Sequence, residues 1–152
     1  MTIIVNGLEE LKDKAGQDLG HSRWMEVPQD RINAFADATD DHQWIHVDAE
    51  RAAAGPFGET IAHGYLTLSL VIPLWSDLLE VKGVGMGVNY GLNRVRFPAP
   101  VPSGSKIRLS ASLTEVTDVP GGGVQALVDF VVHCDRAGKP VCVAQAVYRY
   151  YP

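Results

Sequence analysis

Little in this sequence points outward. Only two of its 152 residues are cysteine, Cys134 and Cys142, so no disulfide framework builds the fold. Positive charge is scarce. Thirteen Lys and Arg against eighteen Asp and Glu leave a net charge of −5, which gives no electrostatic footprint for nucleic acid and no polybasic patch for a membrane. No apolar run approaches the roughly 20 residues that span a bilayer. The longest such segment, Tyr65 to Leu79, is interrupted by Thr67, Ser69, Pro73, Ser76 and Asp77. The opening Thr2-Ile3-Ile4-Val5 is too short for a secretory core and meets Glu9-Glu10 without a basic flank. Repeats, low-complexity tracts and linkers are absent as well. What remains is a 46% hydrophobic, 20% charged composition of a size that suits one domain over 1–152. The expectation is a cytoplasmic chain that is either an enzyme or a binding module.

Local patterns place the elements. A short helix is expected from Gly7 to Ala15, capped by Asn6, with Glu9 and Glu10 at its positive end and Gly16 beyond its other end. Residues 18–27 read as one strand ending at Pro28. Ile32, Phe35 and Ala36 then give the one-faced spacing of a helix over Gln29 to Thr39. Residues 40–47 have no period and read as a loop. Asp48 caps a short turn through Ala54, which Gly55-Pro56 ends. Gly64 to Leu79 is apolar nearly all the way round and predicts a helix buried on most sides, kinked at Pro73.

After Val88 the period changes to two, with strands expected near 86–97, 105–118, 124–135 and 141–151 and short Pro/Gly turns between them. One apolar helix and one long alternating sheet have a simple solution, in which the sheet curls around the helix. The fold class is therefore α+β, an antiparallel hot-dog arrangement. Dimerisation is an economical way to manage the sheet's outer face and edges.

Chemistry concentrates in Asp40-Asp41-His42-Gln43-Trp44-Ile45-His46. Asp41 and His46 flank apolar Trp44 and Ile45. A tight loop anchored by those two turns a carboxylate and an imidazole onto one water, which suits proton removal and delivery in one event. The same residues also read as a helix end with solvated acids and one hydrogen-bonded histidine.

Together with Gly55-Pro56-Phe57-Gly58-Glu59-Thr60-Ile61-Ala62-His63-Gly64, this loop resembles the MaoC-like family of (R)-specific enoyl-CoA hydratases and dehydratases. That family pairs a Gly-Asp-x-Asn-Pro-aliphatic-His loop with an aliphatic-x-His-Gly entry to the central helix. Asp41, Ile45 and His46 match the first, and Ile61 to Gly64 the second. The Asp-Asp-x-x-Trp-Ile-His form is most similar to the nodulation protein N branch. Asp40 replaces the usual glycine, Gln43 the asparagine and Trp44 the proline.

The resemblance implies hydration of a trans-2-enoyl thioester, or the reverse, on coenzyme A or acyl carrier protein. Asp41 is then the base, His46 holds the water and helps move its proton, and Gln43 orients Asp41 or the water. The Gly64 N–H receives the charge that grows on the thioester oxygen. No cofactor beyond the substrate's own coenzyme A is implied, and a homodimer is expected. Arg94, Arg96, Lys106 and Arg108 read as a cluster on two neighbouring strands, of which Arg94 and Arg96 are candidates for coenzyme A phosphates; for any single one of them an ordinary solvated sheet face is the preferred reading. A hot-dog thioesterase is the alternative, although its acid belongs on or beside the helix, where only Asp77 stands. A non-catalytic acyl-thioester binding module is another.

Other residues carry blander readings. His42 and His46 invite a metal, but no third ligand is in range. His63 reads as a hydrogen-bonded structural histidine, and Ser69 as bonded to its own preceding turn. Cys134 and Cys142 flank a turn near 137–139 that could set them opposite one another, and read by default as reduced, packed thiols.

Overall fold

The computed structural model describes all residues, 1–152. Strand β1 (Ile3–Asn6) leads through Gly7 into helix α1 (Leu8–Asp13). Asn6 does not cap this helix through its side chain. Instead Glu10 reaches back to accept the Asn6 backbone N–H at 2.6 Å. The expected single strand over 18–27 is two, β2 (Gln17–His21) and β3 (Met25–Val27), both antiparallel to the later strand Ser105–Val119. Ser22 makes the break. Its N–H donates to the Leu109 carbonyl and its hydroxyl accepts the Leu109 N–H, each at 2.8 Å, so a side chain replaces a ladder partner.

Helix α2 spans Gln29–Thr39 as its periodicity predicts, with Ile32 and Ala36 buried. Residues 40–47 are not all loop, because Trp44–Val47 form a one-turn helix, α3. Asp48 then caps α4 (Ala49–Ala53) by accepting the Arg51 N–H at 3.0 Å.

The central helix is shorter than expected and broken. It comprises α5 (Gly64–Ser69) and α6 (Val71–Trp75), and Leu79 already begins strand β4 (Leu79–Lys82). The interruption falls at Leu70, one turn ahead of Pro73, which has no N–H for the Ser69 carbonyl. Nor is this helix buried all round. Leu66, Leu70, Val71, Leu74 and Trp75 face the core, while Tyr65 (72% exposed), Ser69, Ile72 (44%), Pro73 and Ser76 form an open stripe. The Ser69 hydroxyl does return to the Tyr65 carbonyl, at 2.7 Å.

Strands β5 (Met86–Arg96), β6 (Ser105–Val119), β7 (Gly123–Cys134) and β8 (Cys142–Tyr151) fall close to their predicted limits. The sheet order is β2-β6-β7-β8-β5, with β3 also on β6. Ile107, Leu109, Ala111 and Leu113 of β6 and Val124 through Val132 of β7 turn alternate side chains inward, into a core of 29 buried residues shared with the helix. A parallel pair, β1 with β4, stands apart from this sheet and was not anticipated. The two thiols are free and buried, but they do not oppose one another. Cys134 pairs across to Ile107 and Cys142 to Val132.

Candidate active site

The site begins where α2 ends. Asp40 closes that helix at φ 58° and ψ 22°, the one non-glycine residue with positive φ. The position asks for left-handed backbone, which glycine adopts freely and aspartate tolerates. The turn it makes sends the chain into α3. There the His46 N–H bonds to the Gln43 carbonyl and the Asp48 N–H to the Trp44 carbonyl, both at 3.0 Å. Trp44 opens this helix at a position that also suits proline. Packing takes over the stiffening role. The Arg51 guanidinium lies 4.4 Å over the indole, and Gly55 leaves room for its edge.

His46 is thereby carried inside, 6% exposed. Its Nδ1–H donates to the Ile61 carbonyl at 2.7 Å. That carbonyl is itself held, because Thr60 to Ala62 runs between Ile45 on one side and Val101 to Ser103 on the other. With Nδ1 committed, Nε2 presents a lone pair. Burial pushes the His46 pKa below the usual value; the Ile61 carbonyl pulls it up, His63 pushes it further down, and Asp41 pulls it up. The imidazole is therefore neutral at pH 7, an acceptor at Nε2.

Asp41 lies at the exposed rim of the same loop. Its Oδ1 accepts the Gln43 backbone N–H at 3.4 Å. The Gln43 side chain makes no hydrogen bond, so its tie to Asp41 is through main chain rather than through the amide. One donor atom from each of Asp41, His46 and His63 lies within 4.8 Å of the others. One water with hydrogen bonds near 2.8 Å bridges such a gap.

His63 enters this group unexpectedly. It is 2% exposed and stacks on His46, with ring centroids 3.8 Å apart and planes inclined by 22°. The donor set is chemically suited to a metal ion, but the stack is not. Nearly parallel planes at that spacing cannot both aim in-plane lone pairs at one ion about 2.0–2.1 Å from each nitrogen. His42 takes no part. It sits outside, 2.8 Å from Asp37, whose hydrogen bond raises its pKa.

Sequence reasoning also missed Gln29. Its Nε2 donates to the His46 carbonyl at 2.7 Å and to Asn33 at 2.9 Å, while its Oε1 accepts the Thr60 hydroxyl at 2.6 Å. One side chain thus joins α2, α3 and the Thr60 segment. The only signal was a polar residue in a helix's first turn, next to Pro28.

A cleft of about 430 Å³ opens beside His46, lined by Ile45, Phe57, Ile61, Gly64, Phe97 and Val101 among others. Gly64 is the first residue of α5, so its N–H has no intrahelical acceptor. A side chain there would crowd Phe97, whose ring lies 3.1 Å from where a Cβ would stand. Arg94 and Arg96 lie elsewhere. They line a larger cleft of about 770 Å³ on the opposite sheet face, with Asp18 and Asp129, and the two clefts share Pro98. Lys106 and Arg108 do not join them as neighbours, since β7 and β8 separate β6 from β5. Arg108 stacks over Trp24 instead, at 4.6 Å.

Comparison with known proteins decides the family. The MaoC like domain model matches residues 10–129. The chain belongs to the MaoC-like domain family. It is 54% identical over 141 residues to 3-hydroxyacyl-thioester dehydratase Z of Mycobacterium tuberculosis, covering 93% of both chains. It is 42% identical over 139 residues to nodulation protein N of Rhizobium leguminosarum bv. viciae, covering 90% of this chain and 86% of that one. Among solved structures, the unliganded R-hydratase of Pseudomonas aeruginosa superposes with a TM-score of 0.68 at 25% identity, over 90% of this chain and 81% of the other. The family's fold is the hot-dog that the helix and alternating strands predict.

Proposed function

We propose that this protein is a hydro-lyase that adds water across a trans-2-enoyl thioester to give the (R)-3-hydroxyacyl thioester, or runs the reverse dehydration. The observation that carries this reading is the approach of Asp41 and His46, within 4.8 Å, beside a cleft that Gly64 also lines. Asp41 and the His46 Nε2 each accept one hydrogen of a single water. Its oxygen attacks Cβ while Asp41 takes one proton. The Cα=Cβ electrons shift toward the thioester oxygen, where the Gly64 N–H stabilises the charge. As the enolate collapses, the proton passes to Cα, and the second hydrogen stays on the new hydroxyl. The names of the dehydratase and hydratase relatives support the same reaction class.

The thioesterase alternative loses its acid. Asp77 accepts both the Arg23 backbone N–H, at 3.1 Å, and the Arg23 guanidinium. The carrier, coenzyme A or acyl carrier protein, belongs to the same proposal. A coenzyme A arm leaving the cleft around Pro98 meets Arg94 and Arg96, which suit its phosphates. A homodimer through β5 is supported by that strand's free edge and by exposed Met86, Tyr90 (58%) and Leu92. No helix is long and apolar enough to cross a membrane. Two unpaired buried thiols suit the cytoplasm.

The test is the product. Purified protein is offered a short and a long trans-2-enoyl-CoA, and the product is coupled to (R)-specific and then (S)-specific 3-hydroxyacyl-CoA dehydrogenase. Signal with the (R) enzyme alone is expected, unchanged after prolonged chelation. Free thiol instead of hydroxyacyl thioester would install the thioesterase; neither product would leave a binding module. Activity lost to chelator and restored by zinc would overturn the metal-free mechanism.

A further inference from the structure

His63 is too constrained for a packing residue. It caps α5 from a buried position, and its Nε2 lies 3.0 Å from the Asp41 backbone carbonyl. A carbonyl only accepts, so the proton is on Nε2 and the lone pair is at Nδ1. That Nδ1 is buried with no partner. A buried acceptor without a donor is the less costly of the two tautomers, because the other leaves both an orphaned N–H and an unpaired carbonyl. The ring is clamped on both sides. Phe35 packs against it at a centroid distance of 4.8 Å, and His46 is stacked at 3.8 Å.

We propose that His63 is a positioning residue for the hydration chemistry: its Nε2–H fixes the main chain that carries Asp41, and its ring face fixes the plane of His46. This rests on the hydratase reading of Asp41 and His46. The two reacting groups come from the two ends of one short loop, and the intervening Trp44 and Ile45 anchor only the loop's middle. Asp41 itself is exposed, and its carboxylate has one weak internal contact, the 3.4 Å bond from Gln43. The bond from His63 to the Asp41 carbonyl is the contact that ties this main chain directly to the residue stacked on His46. His46 is held at Nδ1 by Ile61 and at Cγ by its own main chain in α3. The stacked His63 ring lies against its face and sets its plane. One residue therefore sets both the separation and the relative orientation of the groups that share the water. Displacements of about 1 Å in such a pair cost on the order of 10²-fold in rate.

The two contacts can be removed separately. His63→Gln keeps a donor for the Asp41 carbonyl and loses the ring. His63→Phe keeps a ring on His46 and loses the donor. With trans-2-butenoyl-CoA as substrate, each is expected to lower kcat by about 10- to 100-fold with KM within about 2-fold. In a His46→Gln background, His63→Gln is expected to cost less than about 2-fold more, since there is no imidazole left for the ring to orient. Retention of kcat in both single variants overturns the proposal, as does an equal penalty with and without His46. So does a loss confined to KM. If both variants fail to fold, ¹⁵N imidazole shifts of the unmodified protein decide it: the Nε2–H tautomer at His63 supports the proposal and a predominant Nδ1–H tautomer overturns it. Wild-type protein that hydrates no enoyl thioester would instead remove the underlying hydratase reading, independently of the tautomer.

Discussion

The Trp44 indole occupies the space that a side chain at residue 55 would need. A Cβ on Gly55 would lie 2.8 Å from Cζ3 and 2.9 Å from Cη2 of that ring, with the Ala52 carbonyl at 3.3 Å. The glycine that ends the α4 turn is thus also the seat of the residue that opens α3.

Gly55→Ala is therefore expected to displace Trp44 and with it α3. Overpacking of this kind costs about 1–3 kcal/mol, and for a chain of this size each kcal/mol lowers Tm by roughly 2–4 °C. Thermal unfolding and kcat measured on the same sample should fall together. A variant with wild-type Tm and reduced kcat would show that the loop moved without loss of packing.

Asp41→Asn and His46→Gln should each leave the fold intact and lower hydration by about 10²- to 10⁴-fold, the usual range for an acid/base group. Asp40→Asn should do far less, because Asp40 is exposed and serves the left-handed turn rather than the water. Asp40→Gly should be tolerated equally well, and Asp40→Val should destabilise, since β-branched residues resist positive φ. Comparable damage from Asp40→Asn and Asp41→Asn would reassign the base.

Activity should hold at pH 6.5 and fall below it. His46 must be neutral to accept from water, and burial presses its pKa under the usual histidine value of 6.5. Stability moves in the same direction. In the unfolded chain His46 takes a proton near 6.5, and in the fold only at lower pH, so the unfolded state binds more protons in that window and stability falls as pH falls. A kcat/KM profile with its acid limb centred above 6.5 would contradict the neutral-imidazole role.

Gln29→Ala removes three hydrogen bonds and strands the His46 carbonyl and the Thr60 hydroxyl. A buried group left unpaired costs about 1–3 kcal/mol. Urea denaturation should show that loss, and kcat should drop more than KM rises, because the cleft beside His46 does not include Gln29.

Elements with a local cause were legible in the sequence. Helix α2 follows from Ile32, Phe35 and Ala36, the α4 cap from Asp48, and the limits of β5 to β8 from alternation and turn residues. The Asp41/His46 pair was legible because both lie in one short loop. The parallel pairing of Ile3–Asn6 with Leu79–Lys82 was not, since no local pattern joins segments so far apart. Gln29, and the partner of the hydrogen bond expected at His63, escaped for the same reason. Their meaning lies in the Asp41 and His46 carbonyls, and a carbonyl has no letter in the sequence. The one-sided burial of the central helix was misread because an apolar composition does not say which face the sheet reaches.

Strand β8 is the ninth-hour member of the sheet: it lies between β7 and β5, hydrogen-bonded to both. A chain leaving the ribosome therefore makes β5 long before anything exists to pair with it. Ten residues, Cys142–Tyr151, join the two halves of the sheet, and until they emerge β5 and β7 both present open, adhesive edges. Completion of the core is consequently a late event in biosynthesis. During that interval those edges can pair with neighbouring copies, most of all when many chains are translated side by side.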